Sequence, residues 1–344
     1  MSETAAYLPH HDGLTRSILD SVGNTPLMEL NIEYQGETWH LFGKMEFMNP
    51  TGSVKDRIAK YIIEQAEKRG ELKPDSVIIE ATSGNTGIGL SMVCAVKGYR
   101  LIICMPEHMS LERQKIMSNL GAELCLTPVP DSFAGSRARA EQMASRDKRV
   151  FLPRQFQNED NALCHYETTG AEIIRQLGGA RIDALVAGVG TGGTLMGAGR
   201  RLREHSPGCK VIAVEPTEAA VITGGENLGV HPIQGIGDGF IPELLDVKQL
   251  DWTEVIPGCE AVALARSICR RYGMMVGVST GANVLSAINV LRKLGKDKTV
   301  VTILPDRSER YFSTDLYKCA KGEGIVRCCR TGCEDPFCDF KHAG

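Results

Sequence analysis

Val77-Ile78-Ile79-Glu80-Ala81-Thr82-Ser83-Gly84-Asn85-Thr86-Gly87-Ile88 is the stretch on which the fold turns. A short apolar run ends in a turn of small hydroxyl, amide and glycine residues, and a helical pattern then runs from Ile88 to Lys97. The order returns immediately. Leu101-Ile102-Ile103-Cys104 leads to a helix that Ser110 opens as N-cap, with Glu112 in its first turn. A second series begins at Asp183 with Ala184-Leu185-Val186-Ala187, a glycine/threonine loop, a helix through Arg203 and the strand Val211-Ile212-Ala213-Val214. It continues with a helix around Ala261 to Arg271, a strand from Met274 to Val278, a helix from Ala282 to Leu294 and a strand from Thr299 to Leu304. Strand-helix alternation implies parallel sheets covered on both faces. The expected fold class is therefore α/β: two units with parallel-rich sheets and a ligand cleft between them, at the carboxyl ends of the strands. No internal repeat at a solenoid period and no long linker interrupts this order.

Composition supports a folded, soluble chain: 344 residues, 42% apolar and 24% charged. A formal net charge of -3 lacks the basic face that nucleic acid or an anionic membrane would need. Met1 to His11 shows no basic stretch followed by an apolar run, and no apolar run is long enough to span a bilayer, so a cytoplasmic location is expected. Twelve cysteines fall into two populations. Cys94, Cys104, Cys125, Cys164, Cys209, Cys259 and Cys269 are scattered and read as packing residues. Cys319, Cys328, Cys329, Cys333 and Cys338 crowd the end of the chain. Their spacing lacks paired C-x2-C knuckles, yet thiolates so close together can bind zinc or an iron-sulfur cluster.

Three motifs carry chemistry. Lys55 lies in Pro50-Thr51-Gly52-Ser53-Val54-Lys55-Asp56-Arg57, and the two loops Thr82 to Gly87 and Gly190-Thr191-Gly192-Gly193-Thr194 follow it. An amine able to form a Schiff base, a loop of amides and hydroxyls for a carboxylate and another for a phosphate suit pyridoxal 5'-phosphate held against an amino acid. Gly188-Val-Gly190-Thr-Gly192-Gly193 also satisfies G-x-G-x-x-G, with Glu215 at the offset of a ribose-binding acid, so an NAD-binding oxidoreductase competes. That reading leaves Lys55 and the Thr82 to Gly87 loop without a task. His108 and His165 show no partner pattern and read as structural or surface residues.

These loops, with Asn49-Pro50, Met109-Ser110-Leu111-Glu112-Arg113, Gln234-Gly235-Ile236-Gly237-Asp238-Gly239-Phe240-Ile241-Pro242, Gly277-Val278-Ser279-Thr280-Gly281, Ile303-Leu304-Pro305-Asp306 and Ser308-Glu309-Arg310-Tyr311, closely resemble the cysteine synthase/cystathionine β-synthase family of fold-type-II pyridoxal enzymes. The match runs from about Gly13 to Thr314. It implies that Lys55 holds the cofactor covalently and serves as the catalytic base, and that Asn85 bonds the ring hydroxyl oxygen. Gly190, Thr191, Gly192, Gly193 and Thr194 would cradle the phosphate, with Ser279 facing the pyridine nitrogen. Thr82, Ser83, Thr86 and Gln155 would hold the substrate carboxylate. A large cofactor-anchoring domain (1–48 and 159–315), a smaller mobile substrate domain (49–158) and a cysteine-rich tail (316–344) are expected, in a homodimer. The implied reaction is β-replacement on O-acetylserine or O-phosphoserine through an aminoacrylate, with sulfide as partner substrate and L-cysteine as product. Homocysteine or an amine would be the alternative nucleophile, giving cystathionine or a diaminopropionate derivative. Asp238, where a small residue is frequent, and Cys164-His165-Tyr166-Glu167-Thr168-Thr169, closer to the cystathionine-forming branch, depart from the common cysteine synthase pattern. A protein that acts through its cysteine tail as a metal- or redox-responsive binding partner is the alternative outside catalysis.

Overall fold

A computed structural model describes residues 15–317 apart from 226, 228 and 230. Its ten strands among these residues are β1 (Leu27–Tyr34), β2 (Glu37–Lys44), β3 (Val77–Ala81), β4 (Arg100–Pro106), β5 (Glu123–Thr127), β6 (Val150–Phe151), β7 (Ala184–Gly188), β8 (Lys210–Pro216), β9 (Trp252–Ile256) and β10 (Val300–Ile303). They form a parallel four-stranded sheet, β5-β4-β3-β6, and a six-stranded sheet, β1-β2-β10-β7-β8-β9. The helices are α1 (Lys55–Lys68), α2 (Asn85–Lys97), α3 (Leu111–Asn119), α4 (Ser132–Arg146), α5 (Asp160–Cys164), α6 (Ala171–Gln176), α7 (Gly193–His205), α8 (Gly258–Tyr272) and α9 (Val278–Leu294). A π-helical turn, His165–Gly170, joins α5 to α6.

The central strands are buried on both faces because helices cover both. Every residue of β3 and β10 is buried. Within β7 and β8, Val186, Ile212 and Val214 pack toward α8 and α9, whereas Leu185, Ala187, Val211 and Ala213 pack toward α7. The smaller sheet divides the same way. Ile78, Leu101 and Ile103 meet α1 and α2, and Val77, Ile79 and Ile102 face α4. Each fully buried aliphatic side chain contributes about 1.5–3 kcal/mol, so these layers hold the sheets rigidly behind the loops that follow their strands.

One edge breaks the parallel rule. β1 and β2 are antiparallel, joined by Gln35 and Gly36 at φ 52° and 78°, both in the left-handed region that a two-residue hairpin turn needs. Their burial alternates, as expected for an edge with one wet face. The expected strand from Met274 to Val278 does not form. Only Val276 makes an isolated bridge, to Arg307, and Val278 already belongs to α9. Of the seven cysteines read as packing, Cys259 is exposed in the first turn of α8; the others are buried or half-buried. No helix among the described residues is long and apolar enough to cross a membrane.

Candidate active site

Four helices begin at one cavity. α1 starts at Lys55, α2 at Asn85, α7 at Gly193 and α9 at Val278, and residues of each first turn line a space of about 500 Å³. Four positive dipole ends and their unpaired amides make this a site for anions. It lies past the carboxyl ends of β3, β7 and β10, where Thr82, Gly188 and Ile303 form part of the wall.

The cavity brings together residues far apart in the chain. Lys55, Thr82, Ser83, Asn85, Thr86 and Gln155 line one part, and Gly190, Thr191, Gly192, Thr194 and Ser279 another. Gly193 is not on the wall. It packs against Asn161, and a Cβ there would collide with the Asn161 amide. The turn expected from Thr82 to Gly87 is shorter than its sequence suggests, because Asn85 already opens α2 with Gly84 as N-cap.

Lys44 and Lys55 both lie near these loops, Lys44 fully buried and Lys55 half-buried, and their surroundings differ. Lys44 Nζ donates to the Thr25 carbonyl at 2.5 Å, to Glu172 at 2.7 Å and to Gln176 at 2.9 Å, which uses all its donors. Lys55 Nζ has no hydrogen-bond partner among the described residues. Burial pushes its amine below the usual range, and the charges of Asp238 and Asp306 partly oppose this. Asp238 also lines the cavity; burial pushes its carboxyl up, against the pull of Lys55 and His231. Desolvation moves a lysine toward the nucleophilic state that a carbonyl-binding amine needs.

The anion loops are braced partly by one another and partly by residues that the sequence did not single out. Thr86 Oγ1 donates to Gln155 Oε1 at 2.5 Å, which leaves the Gln155 amide hydrogens for a ligand. Asn161 Nδ2 donates both to the Gln155 carbonyl at 2.8 Å and to Thr191 Oγ1 at 2.9 Å, tying the two loops together. His165 is buried in the π-helical turn, with Nδ1 2.8 Å from Thr169 Oγ1 and Nε2 3.2 Å from Thr194 Oγ1. Burial and the nearby Arg57 and Lys55 charges push its pKa far below the usual range, so it is a neutral brace for the Gly190 to Thr194 loop. Asn283 closes the set: its Oδ1 accepts from Gly188 N at 2.8 Å and its Nδ2 donates to the Ile303 carbonyl at 2.8 Å. No local sequence signal marks Asn161, His165 or Asn283, since each works through a partner distant in sequence. His108 is exposed, as a surface reading expects.

Glu215, the acid that supported a dinucleotide reading, is buried and accepts from Ile222 N at 2.8 Å, Thr223 N at 3.0 Å and the Thr223 hydroxyl at 2.7 Å. It closes a turn and does not line the cavity. Cys319, Cys328, Cys329, Cys333 and Cys338 lie outside the described residues, among which no cluster of three or more His, Cys, Asp or Glu side chains is placed to hold a metal.

Pyridoxal phosphate fits the remaining geometry. A Cβ on Gly190 would come within 2.5 Å of the Gly235 carbonyl, so the loop approaches its neighbour as closely as bare backbone permits. Gln234 Oε1 and Asp306 Oδ1, buried in the wall, lack partners among the described residues. The sequence profile of the "Pyridoxal-phosphate dependent enzyme" family matches residues 18–306. The chain belongs to this family. A cysteine synthase of Staphylococcus aureus is 43% identical over 301 residues, covering 88% of this chain and 96% of the relative. The crystal structure of a cysteine synthase from Entamoeba histolytica superposes with a TM-score of 0.84 at 40% identity, covering 94% and 96% of the two chains. A hydrogen sulfide-producing enzyme from Fusobacterium nucleatum superposes equally well, at 0.84 and 39% identity, with 88% and 91% covered. Family membership makes pyridoxal phosphate the cofactor and the chain an enzyme of the cysteine synthase-like group.

Two expected results follow from the bracing. Gly193→Ala overpacks against Asn161, which ties Gln155 to Thr191; at about 1–3 kcal/mol of strain, affinity for pyridoxal phosphate should fall about 10- to 100-fold. Fluorescence titration of the apo protein reads this, and unchanged affinity would show that the loop does not depend on that contact. Glu80, at the end of β3, accepts from the Arg154 and Gln155 backbone, yet its Oε2 has no partner among the described residues. Burial outweighs those hydrogen bonds and pushes its carboxyl from 4.5 up to about 7. A carboxyl raised on folding holds its proton in the folded state, so it costs stability as pH rises from 4.5 to about 7. Glu80→Gln should remove a loss on the order of 2 kcal/mol between pH 5 and pH 8. Chemical denaturation at the two pH values tests it: identical pH dependence in wild type and variant would refute the assignment.

Proposed function

We propose that this chain catalyses β-replacement on an activated serine, O-acetylserine or O-phosphoserine, with sulfide as nucleophile and L-cysteine as product. The observation that carries the reading is the unpartnered, desolvated Lys55 amine in one cavity with the N-termini of α2 and α7. One helix end suits a substrate carboxylate and the other a cofactor phosphate. The likeness to cysteine synthases from two organisms supports the choice of sulfide.

Bound there, pyridoxal phosphate supplies the electron sink that makes an amino acid's Cα proton acidic and lets a β-substituent leave. Lys55 Nζ carries that proton, because it is the lysine of the cavity wall. Thr82, Ser83, Thr86 and Gln155 hold the substrate carboxylate. The amides and hydroxyls of Gly190, Thr191, Gly192 and Thr194 would hold the phosphate, and Asn85 would donate to the ring hydroxyl oxygen. Ser279, in the first turn of α9, would offer the ring nitrogen a neutral hydroxyl in place of a carboxylate, which would favour elimination over chemistry that needs a long-lived carbanion. Phe133 and Phe156, ring centroids 5.9 Å apart, line the cavity and exclude water from the reacting atoms. Residues 49–158 would act as the smaller substrate unit, closing on the larger one.

Visible spectra of the purified protein before and after adding serine, O-acetylserine and O-phosphoserine test the first half-reaction. Competition of sulfide with homocysteine and small amines tests the second. A response to one of the two esters followed by fastest consumption by sulfide is expected. Silence with both esters, or faster turnover with homocysteine, would overturn the proposal.

A further inference from the structure

Asp306, three residues past β10, is 1% exposed in the cavity wall. Its Oδ2 accepts from Asn85 Nδ2 at 2.6 Å and from the Tyr311 hydroxyl at 2.5 Å, whereas Oδ1 has no partner among the described residues. The other end of the Asn85 amide is held as firmly. Arg310 donates one guanidinium N–H to Asn85 Oδ1 and another to the Thr51 carbonyl at 2.6 Å, in the turn that precedes Lys55. An amide caught between a carboxylate and a guanidinium cannot flip, because the reversed orientation would set acceptor against acceptor and donor against donor. One N–H is then left over. It is the donor that the Asn85 side chain can offer a ligand.

We propose that Asp306 and Arg310 are positioning residues that lock Asn85 as a donor toward the cavity, so that the cofactor's ring hydroxyl is met in its deprotonated, acceptor form. The inference rests on the proposed function, in which Asn85 faces that oxygen. It also gives the two sheets a shared part in the site, since Asn85 opens the helix after β3 and Asp306 follows β10. A donor held against the ring oxygen favours the phenolate tautomer of the bound cofactor, which absorbs in the visible, over the neutral phenol, which absorbs in the near ultraviolet. A carboxylate acting only as a nearby negative charge would do the opposite. The sign of the change therefore separates positioning from bulk electrostatics.

The test compares the visible-to-ultraviolet band ratio of the holoenzyme with that of Asp306→Asn and Asp306→Ser, each also made on an Asn85→Ala background. Both single variants should lower the ratio about tenfold, equivalent to about 1.4 kcal/mol, and neither should lower it further once Asn85 is gone. An unchanged ratio, a raised ratio, or an equal fall on the Asn85→Ala background would overturn the proposal. Asp306→Asn keeps the shape of the side chain, and Arg310→Lys, which keeps the charge but loses the fork, carries the same expectation should the serine variant fail to fold. A wild-type protein with no visible band at all would instead sink the cofactor reading itself.

Discussion

Lys55→Ala should purify without the visible band of a lysine-linked cofactor and lose at least ~10³-fold in β-replacement, because in the proposed reaction one amine both anchors the cofactor and moves the Cα proton. Lys55 lines the cavity, and its Nζ is bound to no neighbour among the described residues, whereas Lys44 is saturated by Thr25, Glu172 and Gln176. Borohydride reduction of wild type followed by peptide mapping should place the pyridoxyl label on Lys55. A label on another lysine, or activity within tenfold of wild type in Lys55→Ala, would remove it from the chemistry. Cofactor retained non-covalently in the variant is compatible with the assignment, since the phosphate loop and Asn85 remain in place.

Removal of Glu172 should destabilise the fold by about 3–5 kcal/mol, the cost of leaving buried charge unpaired. Glu172 accepts from Arg57 at 2.8 and 2.7 Å, from Lys44 at 2.7 Å and from Asn24 N at 3.0 Å, and Arg57 also bonds Glu46 at 2.7 and 2.8 Å. Two cations and two carboxylates, all buried, balance one another at the place where α1 meets β2 and α6. Taking away one carboxylate leaves a net positive charge inside. Burial alone would raise the Glu172 carboxyl, but hydrogen bonds from Arg57 and the Arg57 and Lys44 charges outweigh it and hold it down at about 2. A carboxyl depressed on folding adds stability in full above its ordinary 4.5 and loses it as pH falls toward 2. Urea unfolding of Glu172→Ala at neutral pH should show the loss, and the wild type should show a steep acid limb that the variant lacks. A loss below about 1 kcal/mol would mean that water reaches this cluster. Since α1 begins at Lys55, the same substitution should also weaken cofactor retention.

Sequence reading reached the parallel sheets because their strands carry the signal themselves. Val77-Ile78-Ile79 and Ala184-Leu185-Val186-Ala187 are continuous apolar runs closed by glycine/threonine turns, as strands buried on both faces require. Met274 to Val278 has similar composition, yet only Val276 bridges a neighbour and Val278 turns into α9. A strand exists only where another edge is free to pair, and composition says nothing about that. The boundary of α2 was missed for a related reason: Asn85-Thr86-Gly87 reads as turn chemistry, but a helix N-terminus uses the same residues.

The site divides in the same way. Lys55, the Thr82 to Gly87 motif and the Gly190 to Thr194 loop are legible because each is a short segment whose residue types suit one chemical group, whatever lies elsewhere in the chain, whereas Ser279 is reached only through the family resemblance. Their meeting in one cavity follows from the rule that ligands gather at the carboxyl ends of parallel strands. The orientation of each side chain within that cavity is different in kind. Asn85 meets Asp306 across 221 residues and Arg310 across 225, Asn161 reaches Thr191 across 30, and His165 reaches Thr194 across 29. Residue types alone determined what chemistry this protein can hold; which hydrogen of which amide faces the ligand was decided only by tertiary closure, because a hydrogen bond depends on where its partner is brought, and no local propensity encodes that.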